Sequence, residues 1–281
     1  MNSGWPDGAG PVLRLCSWNI NSVRLRLPLL QRLVQEAAPD VICLQETKCP
    51  DPLFPAVDCA AFGYPHQAVA GMKGYNGVAI LSRHPLQEIR VHDWGGKQDC
   101  RHISARVAGL TVHSLYIPAG GDEPDPAVNP KFAYKLGYLS AVAEGLRALH
   151  SPEDPAVLMG DFNVAPLPSD VWNHRRMLRI ITHTPVEVDH LHRLQASSGW
   201  VDAAREFIPP DTRISTWWSY RAADWRAADK GRRLDHVWVT PALKPQLAGY
   251  QVLSDGRDWA PPSDHAPVLL DLYRSGDQAC S

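Results

Sequence analysis

The sequence predicts an α/β protein, a four-layered α/β sandwich in which two mixed β-sheets pack face to face and are flanked by helices. Three observations carry this. Short apolar runs of strand length recur along the chain, at 41–44, 156–159, 237–239 and 268–270. Helical stripes interrupt the strand-like runs in both halves. Carboxylates follow two of the runs (Glu46, Asp161) and precede two others (Asp235, Asp264), so strands of opposite direction can deliver all four acids to one edge.

Taken in order, residues 12–18 read as a first strand. Residues 24–37 place Leu29, Leu30, Leu33, Val34 and Ala37 on one helical stripe, and Pro39 ends it. The run 41–44 follows as a strand, which makes the opening unit βαβ. Further strands are expected at 77–81, 87–92, 101–107 and 110–117, with Ala108-Gly109 turning the last two into a hairpin. Residues 130–150 form a long helix with Phe132, Leu136, Leu139, Ala143, Leu146 and Leu149 on one face. The run 156–159 is again a strand. Residues 164–185 read mostly as loop and 187–198 as a helix. Late strands are expected at 214–217, 234–239, 247–253 and 268–272.

A chain of 281 residues, 44% of them hydrophobic, can bury a sizeable core. No linker or repeat divides it. Residues 12–274 are therefore expected as a single domain, with 1–11 a disordered N-terminal extension and 275–281 a tail. The formal net charge of −2 excludes a polycation that coats nucleic acid indiscriminately and leaves room for a local basic face. Arginine outnumbers lysine, which suits bidentate phosphate contacts and equally follows from coding bias in a GC-rich genome. The six cysteines contain no C-x-x-C pair, a spacing that fits neither a zinc site nor a disulfide framework and implies a reducing compartment. No apolar run approaches the roughly 18–20 residues of a membrane span.

Each chemical motif has a bland reading beside the functional one. In Trp18-Asn19-Ile20-Asn21-Ser22-Val23-Arg24, Asn19 and Asn21 point the same way if the chain stays extended, yet Asn21 or Ser22 would also serve as an ordinary helix cap. Glu46 in Gln45-Glu46-Thr47-Lys48 suits a hard cation such as Mg²⁺, and is otherwise a solvated loop acid. Tyr116 is held rigidly by the extended Ile117 before Pro118, and a Tyr there more often packs than catalyses. Gly160-Asp161-Phe162-Asn163 is more specific. Gly160 is expected to turn the backbone sharply, Asp161 to activate water and Asn163 to hold it. Ser263-Asp264-His265 places an acid beside an imidazole, with Asp235 as the candidate orienting carboxylate. His174, His183, His190 and His192 read as surface or structural. Thr216-Trp217-Trp218-Ser219-Tyr220-Arg221 puts two adjacent indoles on opposite strand faces, so that one is free to stack on a base or sugar. The basic stretch Arg221, Arg226, Lys230, Arg232, Arg233 follows, and such a run is usually a solvated loop. Four acids, one His and two or three Asn at strand ends describe a site for a hard divalent cation and a phosphate ester.

Together these motifs resemble the exonuclease III family of apurinic/apyrimidinic endonucleases, within the endonuclease/exonuclease/phosphatase superfamily. The ordered set Trp-Asn-Ile-Asn, Leu-Gln-Glu-Thr-Lys, Gly-Tyr-Asn-Gly-Val-Ala, Tyr-Ile-Pro, Gly-Asp-Phe-Asn, Thr-Trp-Trp-Ser-Tyr-Arg, Arg-Leu-Asp-His and Ser-Asp-His runs from about Leu13 to Leu272. The resemblance implies a DNase I-like fold and one or two Mg²⁺ (or Mn²⁺) ions. It implies Glu46 as the main metal ligand, with Asn19, Asn21 and Asp264 around the ion and Asp161, Asn163 and His265 beside it. It implies catalytic roles for Tyr116, Asp161, Asn163, Asp235 and His265, with either Asp161 or His265 handling the attacking water. Trp217 and Leu234 fall where the family builds its pocket for a flipped abasic sugar. Arg24, Gly74, Tyr75 and Arg221 fall where it grips the DNA. Two positions depart from the family pattern: Ala119 stands where Asn or Gln is usual, and Ser114 where Asn is common.

The function implied is a divalent-metal-dependent DNA-repair nuclease. It would cut the phosphodiester 5′ to abasic sites, with 3′–5′ exonuclease and 3′-phosphodiesterase activity on duplex DNA. Its partner would be double-stranded DNA with abasic sites or 3′ ends, and the protein a cytoplasmic, nucleoid-associated monomer with no membrane contact. Two rivals are a superfamily phosphatase acting on a non-nucleic-acid ester and a DNA-binding protein with weak catalysis.

Overall fold

The structure is a computed structural model that describes residues 12–222 and 224–274. Among these residues the strands form two six-stranded mixed sheets. Across the first sheet run β11 (Leu247–Val252), β12 (Val268–Tyr273), β1 (Val12–Asn19), β2 (Val41–Gln45), β4 (Val78–Ser82) and β3 (His66–Ala70). Across the second run β5 (Gln87–Val91), β6 (His102–Val107), β7 (Leu110–Tyr116), β8 (Ala156–Asp161), β10 (Asp235–Val239) and β9 (Val201–Asp202). The helices are α1 (Leu27–Ala37), α2 (Ala56–Ala61), α3 (Pro130–Leu149), α4 (His174–Met177), α5 (Pro185–Ala196), α6 (Ala203–Phe207) and α7 (Trp225–Ala228). The expected two-sheet sandwich is the fold observed.

Each sheet is built on one parallel pair crossed by a helix: β1 and β2 through α1, and β7 and β8 through α3. Parallel neighbours require such a crossover. Leu13, Leu15, Val41, Cys43, Val78 and Ile80 of the first sheet interdigitate with Ile103, Val112, Val157, Met159 and Val237 of the second. The opposite faces are covered by α1 and α2 on one side, through Leu29, Leu30, Leu33 and Cys59, and by α3 and α5 on the other, through Tyr138, Leu139, Val142 and Leu191. Burying each such aliphatic side chain contributes roughly 1.5–3 kcal/mol. The long helix α3 begins at Asn129, whose side chain accepts from the Lys131 and Phe132 amides, with Pro130 as its first residue.

Strand direction then creates the site edge. β10 is antiparallel to β8, and the register pairs Asp235 with Asp161. β7 is parallel to β8, and the register pairs Tyr116 with Asp161. β12 is antiparallel to β1, so the segment leading into Val268 lies at the end of β1. Strand ends and strand starts from both sheets thus meet at one rim.

Several local expectations are corrected. Helix α1 starts at Leu27, not 24, and its N-cap Arg26 makes no side-chain capping bond. The reason is that residues 20–23 continue strand-like pairing: the Ile20, Ser22 and Val23 amides donate to the Gln45, Glu46 and Thr47 carbonyls. Neither Asn21 nor Ser22 is a cap; both take positive φ (49° and 85°). The strand expected at 214–217 reduces to isolated bridges from Trp217 to Arg232 and His265. Thr216 instead spends its hydroxyl on the Leu234 and Asp235 amides. Helix α2 and strand β3 escaped the sequence reading; β3, His-Gln-Ala-Val-Ala, has only one β-branched residue to signal it. The expected extension at 1–11 and tail at 275–281 lie outside the described residues.

Candidate active site

At the rim, Asn19 from the end of β1 donates through Nδ2 to Glu46 Oε1 and to Asp161 Oδ2, each at 2.9 Å. The same nitrogen lies 3.3 Å from His265 Nε2. Asp161 Oδ2 also accepts from Asn163 Nδ2 (3.1 Å), and its Oδ1 accepts from the Asn163 amide (2.9 Å). Tyr116 donates its hydroxyl to Glu46 Oε1 at 3.0 Å. His265 is fixed from the other side, with Nδ1 2.8 Å from Asp235 Oδ2. Asp161, Asp235 and His265 each place a donor atom within 4.8 Å of the other two. The structure therefore brings Asn19, Glu46, Tyr116, Asp161, Asn163, Asp235 and His265 together.

Backbone strain marks the same positions. Glu46, Asn21 and Asn163 all sit in the left-handed region, at φ 51°, 49° and 52°. Such residues cost energy locally and persist where surrounding bonds over-determine them. The sharp turn assigned to Gly160 is made by Asn163 instead. Gly160 stays within β8, where a Cβ would stand 1.8 Å from the Leu115 carbonyl oxygen, so its role is close strand approach. The two asparagines near β1 do converge, although the chain is not extended at Asn21. Ser263 Oγ donates to the Asn19 carbonyl at 2.7 Å and accepts the His265 amide, and Trp18 Nε1 donates to the His265 carbonyl. The bonds from Ser263 to Asn19 and from Trp18 to His265 lock the β1 end against the loop before β12.

The charges are tuned by burial and by each other. Burial raises Asp161 first, and Asp235 and Glu46 add to it against His265, so its carboxyl is pushed up to about 7. Burial opposes the imidazolium of His265, but Asp235 and then Asp161 outweigh it and push His265 up to about 10. Burial of Tyr116, reinforced by Glu46 and Asp161, holds its phenol far above the usual range, so it is a donor at every working pH. Burial also opposes ionisation of Glu46, yet Lys48 and the Asn19 bond prevail and hold it low.

The donor set fits a hard divalent cation. Carboxylate oxygens of Glu46, Asp161 and Asp264 and the amide oxygen of Asn21 are the ligands such an ion prefers, whereas Asn19 turns its nitrogen to the carboxylates and its oxygen to the Asn21 amide. The ammonium of Lys48 already stands between Glu46 Oε2 (2.8 Å) and Asn21 Oδ1 (2.5 Å), which shows that this oxygen pair accepts positive charge. Asp264 reaches the group through Asn21, whose Nδ2 donates to Asp264 Oδ1 at 3.1 Å. The sequence reading does not single out Lys48; a cation two residues from an acid in Gln45-Glu46-Thr47-Lys48 is the available signal, although the pair meets through left-handed residues at Glu46 and Lys48 and not through an extended chain.

The aromatic block borders this cluster. Trp217 donates Nε1 to Asp264 Oδ2 at 2.9 Å, with the Arg232 guanidinium 4.9 Å from its ring centroid. Trp217 and Trp172, both partly open, cover a small buried cluster of Leu234, Ala165, Val171 and Met177, so Leu234 itself presents no open surface. Arg24, Gly74, Tyr75 and Arg221 are exposed and are not drawn into the catalytic cluster. Two of the five residues of the basic stretch, Arg226 and Arg233, are neutralised by carboxylates within the protein, so it is not a continuous basic face. Arg233 is fully buried against Asp170 and Asp202, and Arg226 pairs with Asp255 and Asp258. Burying a guanidinium demands such partners. Ser114 is also buried, bonded to the Leu44 carbonyl and to Gln45 Nε2, and supports β2 from beneath. His183 is structural as expected, its Nδ1 on the Ala165 carbonyl.

Comparison with known proteins points to one family. The model of the Endonuclease/Exonuclease/phosphatase family matches residues 16–265. The chain is 30% identical to exodeoxyribonuclease III of Haemophilus influenzae over 272 residues, covering 92% of this chain and 100% of that protein. An AP endonuclease from Archaeoglobus fulgidus matches with TM-score 0.86 at 30% identity, over 92% of this chain and 99% of that one. A 3′ phosphatase from Neisseria bound to a product DNA hairpin matches with TM-score 0.85 at 32% identity, over the same shares.

Proposed function

The chain belongs to the endonuclease/exonuclease/phosphatase family, and on that premise we propose that it is a metal-dependent DNA-repair nuclease that hydrolyses the phosphodiester on the 5′ side of abasic sites. It leaves a 3′-hydroxyl and also trims 3′ ends of duplex DNA. The match to a 3′ phosphatase seated on DNA supports this second arm. No helix among the described residues is long and apolar enough to cross a membrane. A DNA substrate would place the protein at the nucleoid in the cytoplasm.

One observation carries the chemistry. Asp161 is held by three donors, the Asn163 amide, Asn163 Nδ2 and Asn19 Nδ2, at the mouth of the His265–Asp235 pair. With His265 pushed up to about 10, its imidazole is protonated near neutrality and donates to a phosphoryl oxygen. Asp161, pushed up to about 7, is the group positioned to take the proton from water, since a base works best with a pKa near the working pH. Asn163 fixes the carboxylate that accepts that proton. Tyr116 supplies a neutral hydroxyl donor towards developing charge. Glu46, with Asn21 and Asp264, would hold Mg²⁺ or Mn²⁺, with Asn19 orienting Glu46, and the ion would supply charge neutralisation on the phosphoryl oxygens. Trp217, backed by the buried Leu234, offers an apolar face for a sugar that has no base to unstack.

The test is cleavage of a defined abasic duplex with and without Mg²⁺, with both new ends mapped. A cut 5′ to the lesion leaving a 3′-hydroxyl, abolished by EDTA, is expected. Cleavage of phosphoinositides in preference to the duplex would overturn the reading.

A further inference from the structure

Lys135 lies in α3 with its side chain fully buried, behind the loops that carry the catalytic residues. Its ammonium has three donors and spends them on three oxygens. One is the Glu187 carboxylate of α5, one is the Asn163 carbonyl at 2.7 Å, and one is the Ala119 carbonyl at 3.3 Å. The two carbonyls belong to the loops that leave β7 and β8, the strands that carry Tyr116 and Asp161. Glu187 is itself immobile: it accepts from the Thr182 and Thr184 amides and the Thr184 hydroxyl while capping α5. Gly120, at φ 93°, gives the lysine stem room to pass, since a Cβ there would stand 2.9 Å from Lys135 Cδ.

We infer that Lys135, braced by Glu187, is a positioning residue for the reaction: it clamps the carbonyl of Asn163 in its left-handed turn and so aims the amide and carboxamide that hold Asp161. This rests on the nuclease reading for its kinetic arm. The clamp is charge-assisted at the Asn163 end and reaches both catalytic loops from a rigid helix. Without it, Asn163 is free to relax towards an ordinary φ, and its two bonds to Asp161 lengthen. Misplacement of about 1 Å at a catalytic group can cost about 10²-fold in rate.

The experiment compares Lys135→Met, Lys135→Met with Glu187→Gln, and Lys135→Met with Asn163→Ala, in the full chain with an abasic duplex and saturating Mg²⁺. Lys135→Met is expected to lower kcat by about 10²-fold with little change in KM. Adding Glu187→Gln removes the stranded buried charge and should restore much of the melting temperature while kcat stays low. In the Asn163→Ala background the lysine change should add little, as expected for groups acting as a unit. Recovery of kcat in step with the melting temperature, or full additivity with Asn163→Ala, would reduce Lys135 to a structural role. An activity-independent arm follows the Asn163 side-chain amide resonance, assigned by its loss in Asn163→Ala. It should move in Lys135→Met, and an unmoved resonance overturns the inference even if the wild-type protein cleaves no abasic duplex, an outcome that by itself counts only against the function.

Discussion

Nδ1 of His265 lies 2.8 Å from Oδ2 of Asp235, and the two side chains are 4% and 0% exposed. The pair joins the loop before β12 to the start of β10, so it ties the first sheet to the second at the catalytic rim. Asp235→Asn and His265→Ala should each lower abasic cleavage strongly. Because both act on one imidazole, the double variant should cost far less than the sum of the two in log rate. Rates measured for the four forms decide this, and additive losses would mean that the bond does not serve catalysis. Each single change also strands a buried charge, worth about 3–5 kcal/mol of stability, so assays belong well below the melting temperature.

Glu46 is the carboxylate to which Asn19, Tyr116 and Lys48 all turn. Glu46→Gln keeps its shape and removes one negative charge. Activity should fall steeply at low Mg²⁺ and recover in part at high Mg²⁺, because the remaining oxygens still form a pocket. A Mg²⁺ titration unchanged from wild type would take Glu46 out of the metal site.

Trp217 and Trp218 separate recognition from stability. The indole of Trp217 is partly open and bonded to Asp264, whereas Trp218 is buried, with its ring 4.8 Å from that of Trp225. Trp217→Ala should keep the fold and depress kcat/KM at abasic sites, since stacking on nucleic acid is worth about 1–3 kcal/mol per aromatic. Trp217→Phe retains the apolar face but loses the donor to Asp264, which divides the loss between stacking and ligand orientation. Trp218→Ala should chiefly lower the melting temperature, by a core-type loss of roughly 3–5 kcal/mol. Unaltered abasic cleavage in Trp217→Ala would remove the sugar-facing role.

Acid should weaken the fold through a chain of histidines outside the catalytic cluster. Trp94 Nε1 donates to His102 Nδ1 at 2.6 Å, His102 Nε2 meets His113 Nδ1 at 2.9 Å, and His113 Nε2 meets His150 Nε2 at 2.8 Å. An indole can only donate, so the tautomers are set in turn: His102 and His113 carry their protons on Nε2 and every inner nitrogen is occupied. That leaves the linked nitrogens of His102 and His113 no lone pair for a cation. Burial lowers His102, His113 and His150, and burial followed by Arg90 lowers His92 to about 4. A depressed folded pKa means that the stability is present above about 6.5, the unfolded value, and is lost as pH falls through the folded values. His102 and His113 alone should each remove up to about 1.4 kcal/mol per pH unit below that point. Asp161, raised to about 7, works in the opposite sense between its ordinary value and neutrality, and His265, raised to about 10, does so above about 6.5, but the lowered histidines, with His183 and His236 among them, outnumber these two. Melting temperature from pH 7 to 5 should therefore fall, and less steeply in His113→Gln. A flat profile would show that the imidazoles protonate without cost.

The sequence by itself determined the sandwich, because strand-length apolar runs and the helical stripe of 130–150 are local patterns that burial enforces wherever the chain goes. It also placed the chemistry at strand ends, since Glu46, Asp161, Asp235 and Asp264 each border a core run and an unpaired acid there is costly. Only the tertiary structure decided which groups touch. The pairing of Asp235 with Asp161 is a register across two strands more than seventy residues apart, and period-2 alternation fixes a face without naming a partner. The same holds for Arg233, which read as part of a basic surface and is buried against Asp170 and Asp202. It holds for His92, His102, His113 and His150, and for Lys135, whose reach to Asn163 exists only because α3 packs across the loops of β7 and β8. Contacts of that kind come from packing, and packing is a property of the whole chain.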